Sequence, residues 1–546
     1  MCGIHAVISH NAGPHKLTPN VERHLRNRGP DHLGTVEVQL NKAAGEQPLS
    51  LSFTATVLSL RGDHVTKQPL VNQDTGSVLC WNGEAWKIRD DLVEGNDGEA
   101  VFSMLNTAGI EGGKDSVLNA LRSIDGPFAF IYLDKPTNRL YYGRDRLGRR
   151  SLLVKQGDEF SLSSIADVPA VGWAEVEADG CYTIQLDEAN SAHNLLPIRH
   201  NWNEDEALVS SIGVFNTAIS EQSTPLARES LPVQRLRDHL VASLQLRVLN
   251  VPVPPNASPS DARVAILFSG GLDCTVLARM ASDLLPSDQV IDLLNVAFEN
   301  PRIASQNTKL SPEELYELCP DRVTGRRSFA ELMAVCPERR WRFITINVPY
   351  AVASAHRGDV IDLIYPHNTE MDLSIAYALY FAARGEGIGQ TDIDSNPQPY
   401  STTARVLLSG LGADELFGGY IRHATAYTRS GYPGLIDELQ LDVSRLGKRN
   451  LGRDDRVMAH WSREVRFPYL DESLVKWAIE LPTWEKCDFG NHGGACELEP
   501  GKRVLRLLAD QLGMVLVAAE KKRAIQFGAR TAKMESGKVK GTTLLS

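Results

Sequence analysis

Val264-Ala265-Ile266-Leu267-Phe268-Ser269-Gly270-Gly271-Leu272-Asp273-Cys274 decides how the second half of this chain is built. Five apolar residues make a short buried strand. Two glycines then break it, and an apolar-periodic stretch, Leu272–Leu285, opens a helix. That order makes an anion site, because glycine lets backbone N–H groups come close to an anion and the helix N-terminus adds a favourable dipole. On the C-terminal side, Val290–Phe298, Trp341–Val348 and Arg405–Leu408 read as further strands, with helical stretches over 351–364 and 371–384. Strands alternating with helices predict an α/β domain: a doubly wound, largely parallel sheet with its chemistry at the carboxyl ends of the strands.

On the N-terminal side the pattern changes. Residues 251–260, Val-Pro-Val-Pro-Pro-Asn-Ala-Ser-Pro-Ser, read as a loop or linker, and 233–248 as a helix docked on the domain that follows. From residue 1 to about 200 short strands dominate: Ile4–Ile8, Thr54–Leu60, Val78–Trp81, Phe128–Leu133, Arg139–Tyr142 and Tyr182–Leu186. Asp134-Lys135-Pro136-Thr137-Asn138 reads as a hairpin connection, and helical patterns cover Gly98–Thr107 and Asp115–Ile124. This mixture predicts layered, antiparallel α+β packing.

The 546 residues suit two large domains, at roughly 150 residues per ordinary domain. The expected divisions are 1–205, a connecting segment 206–260, and 261–546. A net charge of 57 − 68 = −11 argues against a general nucleic-acid binder, which needs a basic face. The eight cysteines, Cys2, Cys80, Cys181, Cys274, Cys319, Cys336, Cys487 and Cys496, form no CxxC pair, so neither a zinc site nor a disulfide scaffold is expected. No stretch approaches the roughly 18 apolar residues of a membrane span, and Met1-Cys2-Gly3-Ile4-His5 is no signal peptide. A cytoplasmic location with reduced thiols is the expectation. The sequence leaves the oligomeric state open.

Cys2 is the cysteine with chemistry. Removal of Met1 before this small residue would give it a free α-amine beside its thiol. That amine, with a pKa of about 8, can act as base for the thiol without a histidine. Six segments follow in order: Arg28-Gly29-Pro30-Asp31, Arg61-Gly62, Gln68-Pro69-Leu70, Asn82-Gly83-Glu84, Asp97-Gly98-Glu99 and Asp125-Gly126-Pro127-Phe128-Ala129. Gly143-Arg144-Asp145-Arg146-Leu147-Gly148 closes the series. In order and spacing they resemble the glutaminase domain of class II glutamine amidotransferases, in particular the asparagine synthetase branch. Asn27 stands before Arg28 where that family has histidine. The resemblance implies an N-terminal nucleophile fold, a sandwich of two sheets between helices. It implies that Cys2 attacks L-glutamine, that Asn82 and Gly83 stabilise the oxyanion, that Arg61 clamps the α-carboxylate, and that Glu84 and Asp97 bind the α-ammonium.

The loop Ser269-Gly270-Gly271-Leu272-Asp273-Cys274 lacks the Gly-Lys-Ser/Thr of a Walker loop and resembles the Ser-Gly-Gly-x-Asp-Ser loop of ATP pyrophosphatases. Leu408-Ser409-Gly410-Leu411-Gly412-Ala413-Asp414-Glu415-Leu416-Phe417-Gly418-Gly419-Tyr420 strengthens the likeness to asparagine synthetases. So do Arg453-Asp454-Asp455-Arg456, Glu464 to Asp471 and Gly501-Lys502-Arg503-Val504-Leu505-Arg506. By resemblance, Ser269, Gly270, Gly271, Asp273, Cys274, Ser409, Gly410 and Lys502 would bind ATP, and Asp273 and Asp414 would hold Mg²⁺. Cys274 stands where the family has serine. Position 411 is leucine where working asparagine synthetases carry a glutamate thought to help ammonia attack an acyl-adenylate, and leucine cannot accept a proton. Asp321-Arg322-Val323-Thr324-Gly325-Arg326, Trp341 to Val348 and Asn295 to Glu299 resemble the divergent eukaryotic branch called asparagine synthetase domain-containing protein.

The implied function is glutamine-hydrolysing, ATP-dependent amide synthesis, with aspartate as the default carboxylate acceptor. The rivals are another carboxylate acceptor, or a synthetase domain silenced at Leu411, leaving a glutaminase or a regulatory binding protein.

Overall fold

The computed structural model describes residues 2–10, 15–40, 48–168, 171–187, 195–205, 207–219, 224–392, 395–491, 498–534 and 540–545. Met1 and Cys496 therefore lie outside the described residues. The chain divides into two compact units: Met1–Glu206 with Ile361–His367 and Leu446–Arg463, and Ala207–Val360 with Asn368–Arg445 and Glu464–Ser546.

The first unit is built on two antiparallel sheets. One runs Ala174–Glu175, Leu153–Gln156, Phe160–Ser163, Gly3–Ser9, Leu49–Val57, His32–Leu40. The other runs Ile198–Asn201, Gly180–Gln185, Arg139–Arg144, Phe128–Asp134, Val78–Gly83, Leu70–Val71. Alternate residues of each strand face the other sheet. Ile4, Ala6, Ile8, Leu51, Phe53 and Ala55 thus meet Val78, Cys80, Ile131 and Leu133 in one core. Each large side chain buried there stabilises by about 1.5–3 kcal/mol. On the outer face of the first sheet, the helix Pro19–Arg28 buries Val21 and Leu25 against Ile165. On the outer face of the second, the helix Asp97–Arg122 buries Val101, Leu105, Val117 and Leu121 against Leu79, Trp81 and Phe130. The layers are helix, sheet, sheet, helix, the sandwich that the resemblance implied.

Two local readings differ from this. The patterns over 98–107 and 115–124 belong to one assigned helix, broken at Gly113, where φ is 63° and ψ −146°. The strand expected at Thr54–Leu60 is Leu49–Val57, and it pairs along its whole length with His32–Leu40. Ser50, Ser52, Thr54 and Thr56 alternate with the core residues, so the strand's first half carries little apolar weight in the sequence.

The second unit holds a seven-stranded sheet in the order Gln398–Ser401, Glu386–Gln390, Trp341–Val348, Ile291–Phe298, Val264–Leu267, Val406–Leu408, Glu464–Arg466. The last five are parallel, and the first two form an antiparallel edge hairpin. Chain order reverses between Val264–Leu267 and Val406–Leu408. That is the switch point at which doubly wound sheets bind ligands, outside the carboxyl ends of the strands. The stretch 233–248 lies in the helix Leu231–Val248, which buries Leu236, Leu240 and Leu244 at a spacing of four. The pattern over 351–364 is two short helices, Tyr350–Ala355 and Arg357–Ile364; that over 371–384 is the helix Glu370–Arg384, opened by a Thr369/Asp372 capping box and closed by Gly385 at φ 69°. Among the described residues no helix is long and apolar enough to cross a membrane.

Candidate active sites

In the first unit, Cys2 immediately precedes the strand Gly3–Ser9 and is buried. Three side chains from three segments hold it. Its backbone nitrogen donates to Asn82 Oδ1 at 3.0 Å, its sulfur receives Gln68 Nε2 at 3.8 Å, and its carbonyl receives Arg28 Nε at 3.3 Å. Gln68 in turn accepts the backbone N–H of Trp81 at 2.8 Å, and Trp81 Nε1 donates to Asp97 Oδ2 at 2.9 Å. The same Asp97 oxygen accepts the Ala85 N–H at 2.9 Å. Glu84 is buried, with Arg61 Nη1 3.4 Å from its carboxylate. The rest of the Arg61 fork donates to the carbonyls of Gly95 and Val93. Gly83 ends the strand Val78–Gly83 opposite Phe128.

Hydrogen bonds through Gln68 and Trp81 thus link Cys2, Asn82 and Asp97, while Gly83 and Glu84 follow Asn82 directly in the chain and Arg61 joins through its pair with Glu84. Asn82 is fully buried, and its Nδ2 has no hydrogen-bond partner among the described residues. A buried, unused N–H donor normally costs stability, and this one sits on the side chain that holds the Cys2 nitrogen. Burial pushes the thiol of neighbouring Cys80 far up, which leaves it inert. Gln68 was quoted as part of a motif, but its contact with the sulfur was not foreseen.

In the second unit the two motif loops meet at the switch point. Gly270 has φ 77°, and a Cβ there would lie 2.5 Å from the backbone of Gly325. A Cβ on Gly410 would lie 2.8 Å from Cβ of Asp273, so both glycines are needed for the loops to close on each other. Ser269 Oγ accepts the N–H of Gly271 at 3.3 Å, and the Cys274 thiol donates to the Gly271 carbonyl at 3.4 Å. Ser409 N–H donates to the Arg466 carbonyl, and Ser409 Oγ accepts the N–H of Leu411. Burial raises the Cys274 thiol, so it serves here as a small packed side chain.

Asp273 and Asp414 converge on Lys502. Its Nζ is 2.8 and 2.9 Å from the Asp273 oxygens and 2.8 Å from Asp414 Oδ1. Lys522 pairs with the other Asp414 oxygen. Burial works against the Asp414 carboxylate, but the two ammonium groups outweigh it and hold its pKa well below the usual range. Asp414 and Asp273 hold the partly exposed Lys522 above the ordinary lysine value despite its partial desolvation. Tyr469, fully buried, donates its hydroxyl to the Asp273 carbonyl at 3.1 Å. Nothing in the sequence singles out Lys522, which stands outside the motifs, and Tyr469 lies in the motif Glu464 to Asp471 without any sign of its contact with Asp273. Asp321, buried and 3.7 Å from Arg523, is pushed up to about 7 by desolvation.

Residues 1–174 match the model of the glutamine amidotransferase domain, and residues 400–440 and 428–541 match that of asparagine synthase. The chain thus carries a glutamine amidotransferase domain and an asparagine synthase domain. The chain is 33% identical to asparagine synthetase domain-containing protein 1 of Bos taurus, over 99% of this chain and 97% of that one. It is 35% identical to an asparagine synthetase domain-containing protein of Saccharomyces cerevisiae, over 91% and 86%. A putative glutamine-hydrolysing asparagine synthetase of Methanocaldococcus jannaschii is 25% identical over 98% and 94%. The chain belongs to the asparagine synthetase domain-containing protein family.

Proposed function

We propose that the first unit hydrolyses L-glutamine at Cys2 and that the second activates a carboxylate with ATP, the ammonia released becoming the amide nitrogen of the product. The reading rests above all on one observation: a buried Asn82 amide N–H, unpartnered among the described residues, on the side chain whose oxygen accepts from the Cys2 nitrogen. Once Met1 is removed, the Cys2 nitrogen at Asn82 Oδ1 is the α-amine that takes the thiol proton. The thiolate then attacks the glutamine amide carbon, and Asn82 Nδ2 and the Gly83 N–H receive the developing oxyanion. One such donor is commonly worth about 10²–10³ in rate. Collapse expels ammonia, and water hydrolyses the glutamyl thioester. Arg61 pairs with the substrate α-carboxylate, and Glu84 and Asp97 with its α-ammonium.

In the second unit, Ser269, Gly270, Gly271, Cys274, Ser409 and Gly410 cradle the ATP phosphates, and Lys502 and Lys522 neutralise them. Mg²⁺ suits Asp273 and Asp414, whose oxygens already converge on one cationic nitrogen. Among the described residues no third His, Cys, Asp or Glu completes a metal cluster, so phosphate oxygens and water would fill the shell. The ion would supply charge neutralisation at the pyrophosphate. Aspartate is the default acceptor.

Leu411 favours a second reading. It is half-buried, and its N–H is spent on Ser409. Without a carboxylate at 411 the synthase site takes a different acceptor or stays silent. If position 411 alone is limiting, Leu411→Glu should raise asparagine formation, by up to about 10²–10⁴, the usual worth of general-base help; no gain in an amino-acid assay excludes that explanation. The test of the whole reading is product analysis with glutamine, Mg-ATP and aspartate against the same mixture without aspartate. Aspartate-dependent asparagine and pyrophosphate support it; glutamate and ammonia alone leave the glutaminase half; neither product contradicts both halves.

A further inference from the structure

The motif Arg453-Asp454-Asp455-Arg456 lies on the helix Leu451–Ala459, which belongs to the first unit although the sequence places it far from the other strands and helices there. Arg456 locks the helix in place. Its Nε and Nη2 donate to the carbonyls of Leu363 and Ile364, and its Nη1 donates to Ser151 Oγ at 2.8 Å and Glu175 at 2.6 Å. The helix thereby presents Asp455 to Arg28, 427 positions away in sequence: Arg28 Nη2 donates to Asp455 Oδ2 at 2.8 Å. Both side chains are fully buried. The same Asp455 oxygen accepts the Ser151 N–H at 3.1 Å, and Arg150 Nη1 lies 3.9 Å from the other. Arg28 Nε in turn donates to the carbonyl oxygen of Cys2.

We propose that Asp455 is a positioning residue for the nucleophile: its buried pair with Arg28 aims the guanidinium at the Cys2 carbonyl and so fixes where the thiol stands. The inference rests on the reading of Cys2 as the glutaminase nucleophile. The guanidinium is a rigid planar fork, so fixing one nitrogen fixes the direction of the others. Asn82 holds the Cys2 nitrogen and Gln68 its sulfur; the carbonyl is the third point, and Arg28 supplies it. Removing the Asp455 charge leaves a buried cation without its partner, which relaxes by turning away. A displacement of roughly 1 Å at a reacting group can cost about 10²-fold in rate.

The test measures glutamine hydrolysis by the full chain carrying Asp455→Asn, Asp455→Glu, the pair Arg28→Met with Asp455→Leu, or Cys2→Ala. Thermal melts and the rate of Cys2 alkylation by a diazoketone analogue of glutamine accompany it. The expected result is a kcat for Asp455→Asn lower by about 10–100-fold with KM within about twofold, and alkylation slowed by the same factor. Asp455→Glu should recover most of the loss. The paired variant removes both buried charges, a change that cores often tolerate, and should fold yet remain as slow as Asp455→Asn. The proposal is overturned if Asp455→Asn or the folded paired variant hydrolyses glutamine at the wild-type rate while Cys2→Ala is dead. It is equally overturned if activity falls only in step with the melts. Full hydrolysis by Cys2→Ala overturns this inference and the nucleophile assignment together.

Discussion

Cys2→Ala should lose glutamine hydrolysis by about 10⁴-fold or more, since removing the attacking atom of a covalent mechanism leaves only binding and oxyanion contacts to act. The variant should still fold. The backbone nitrogen that donates to Asn82 and the carbonyl that accepts from Arg28 are both kept, and the loss is one small sulfur at a buried position. Amide synthesis driven by glutamine should disappear with hydrolysis. Synthesis supplied with ammonium chloride, if the synthase site turns over, should be unaffected, because Asp273, Asp414, Lys502 and Lys522 lie in the other unit. Assay of both nitrogen sources on one preparation checks this, and hydrolysis at more than a few per cent of wild type contradicts the assignment.

Asp414→Asn carries the second large effect, on both stability and ATP chemistry. Lys502 is buried against this carboxylate, and Lys522 pairs with it from a partly exposed position. Deleting its charge leaves two ammonium groups sharing Asp273, and breaking a buried pair in this way costs about 3–5 kcal/mol. ATP–pyrophosphate exchange should fall below detection, while glutaminase activity persists. The pH dependence has a definite sign. Burial opposes ionisation of Asp414, but the two lysines prevail and the folded-state pKa lies below the unfolded one. Its contribution to stability is therefore complete above the ordinary carboxylate range and fades as the pH falls through the folded value. Thermal melts across acidic pH should show wild type losing its advantage over Asp414→Asn on acidification. A constant difference between them would remove the charge from the explanation.

The glycine-rich loops and the N-terminal cysteine were readable because their chemistry is local. A strand, two glycines and a helix start are contiguous in sequence, and the backbone alone makes the turn between them. The strands Ile291–Phe298 and Trp341–Val348 were readable for a related reason: strands buried on both faces are continuous apolar runs. What escaped was set by tertiary convergence. Lys522 reaches Asp414 across 108 positions, and Asp455 reaches Arg28 across 427. Nothing in the flanking residues of either marks its partner. The sheet order that puts Val264–Leu267 beside Val406–Leu408 is likewise a property of the assembled sheet, although the alternation of elements announced its type. The strand His32–Leu40 was missed because its polar residues, among them Thr35, Glu37 and Gln39, alternate toward the outer face and dilute its apolar signal.

Everything in the first unit depends on Cys2 standing at the true amino terminus of the active protein. The direct measurement is intact mass, with peptide mapping, of the purified active chain before and after inactivation by the diazoketone analogue of glutamine. The account predicts that Met1 is absent and that a single adduct forms on Cys2, in proportion to lost hydrolysis. A fully active chain that retains Met1, or an inactivating adduct on any other residue, would contradict it.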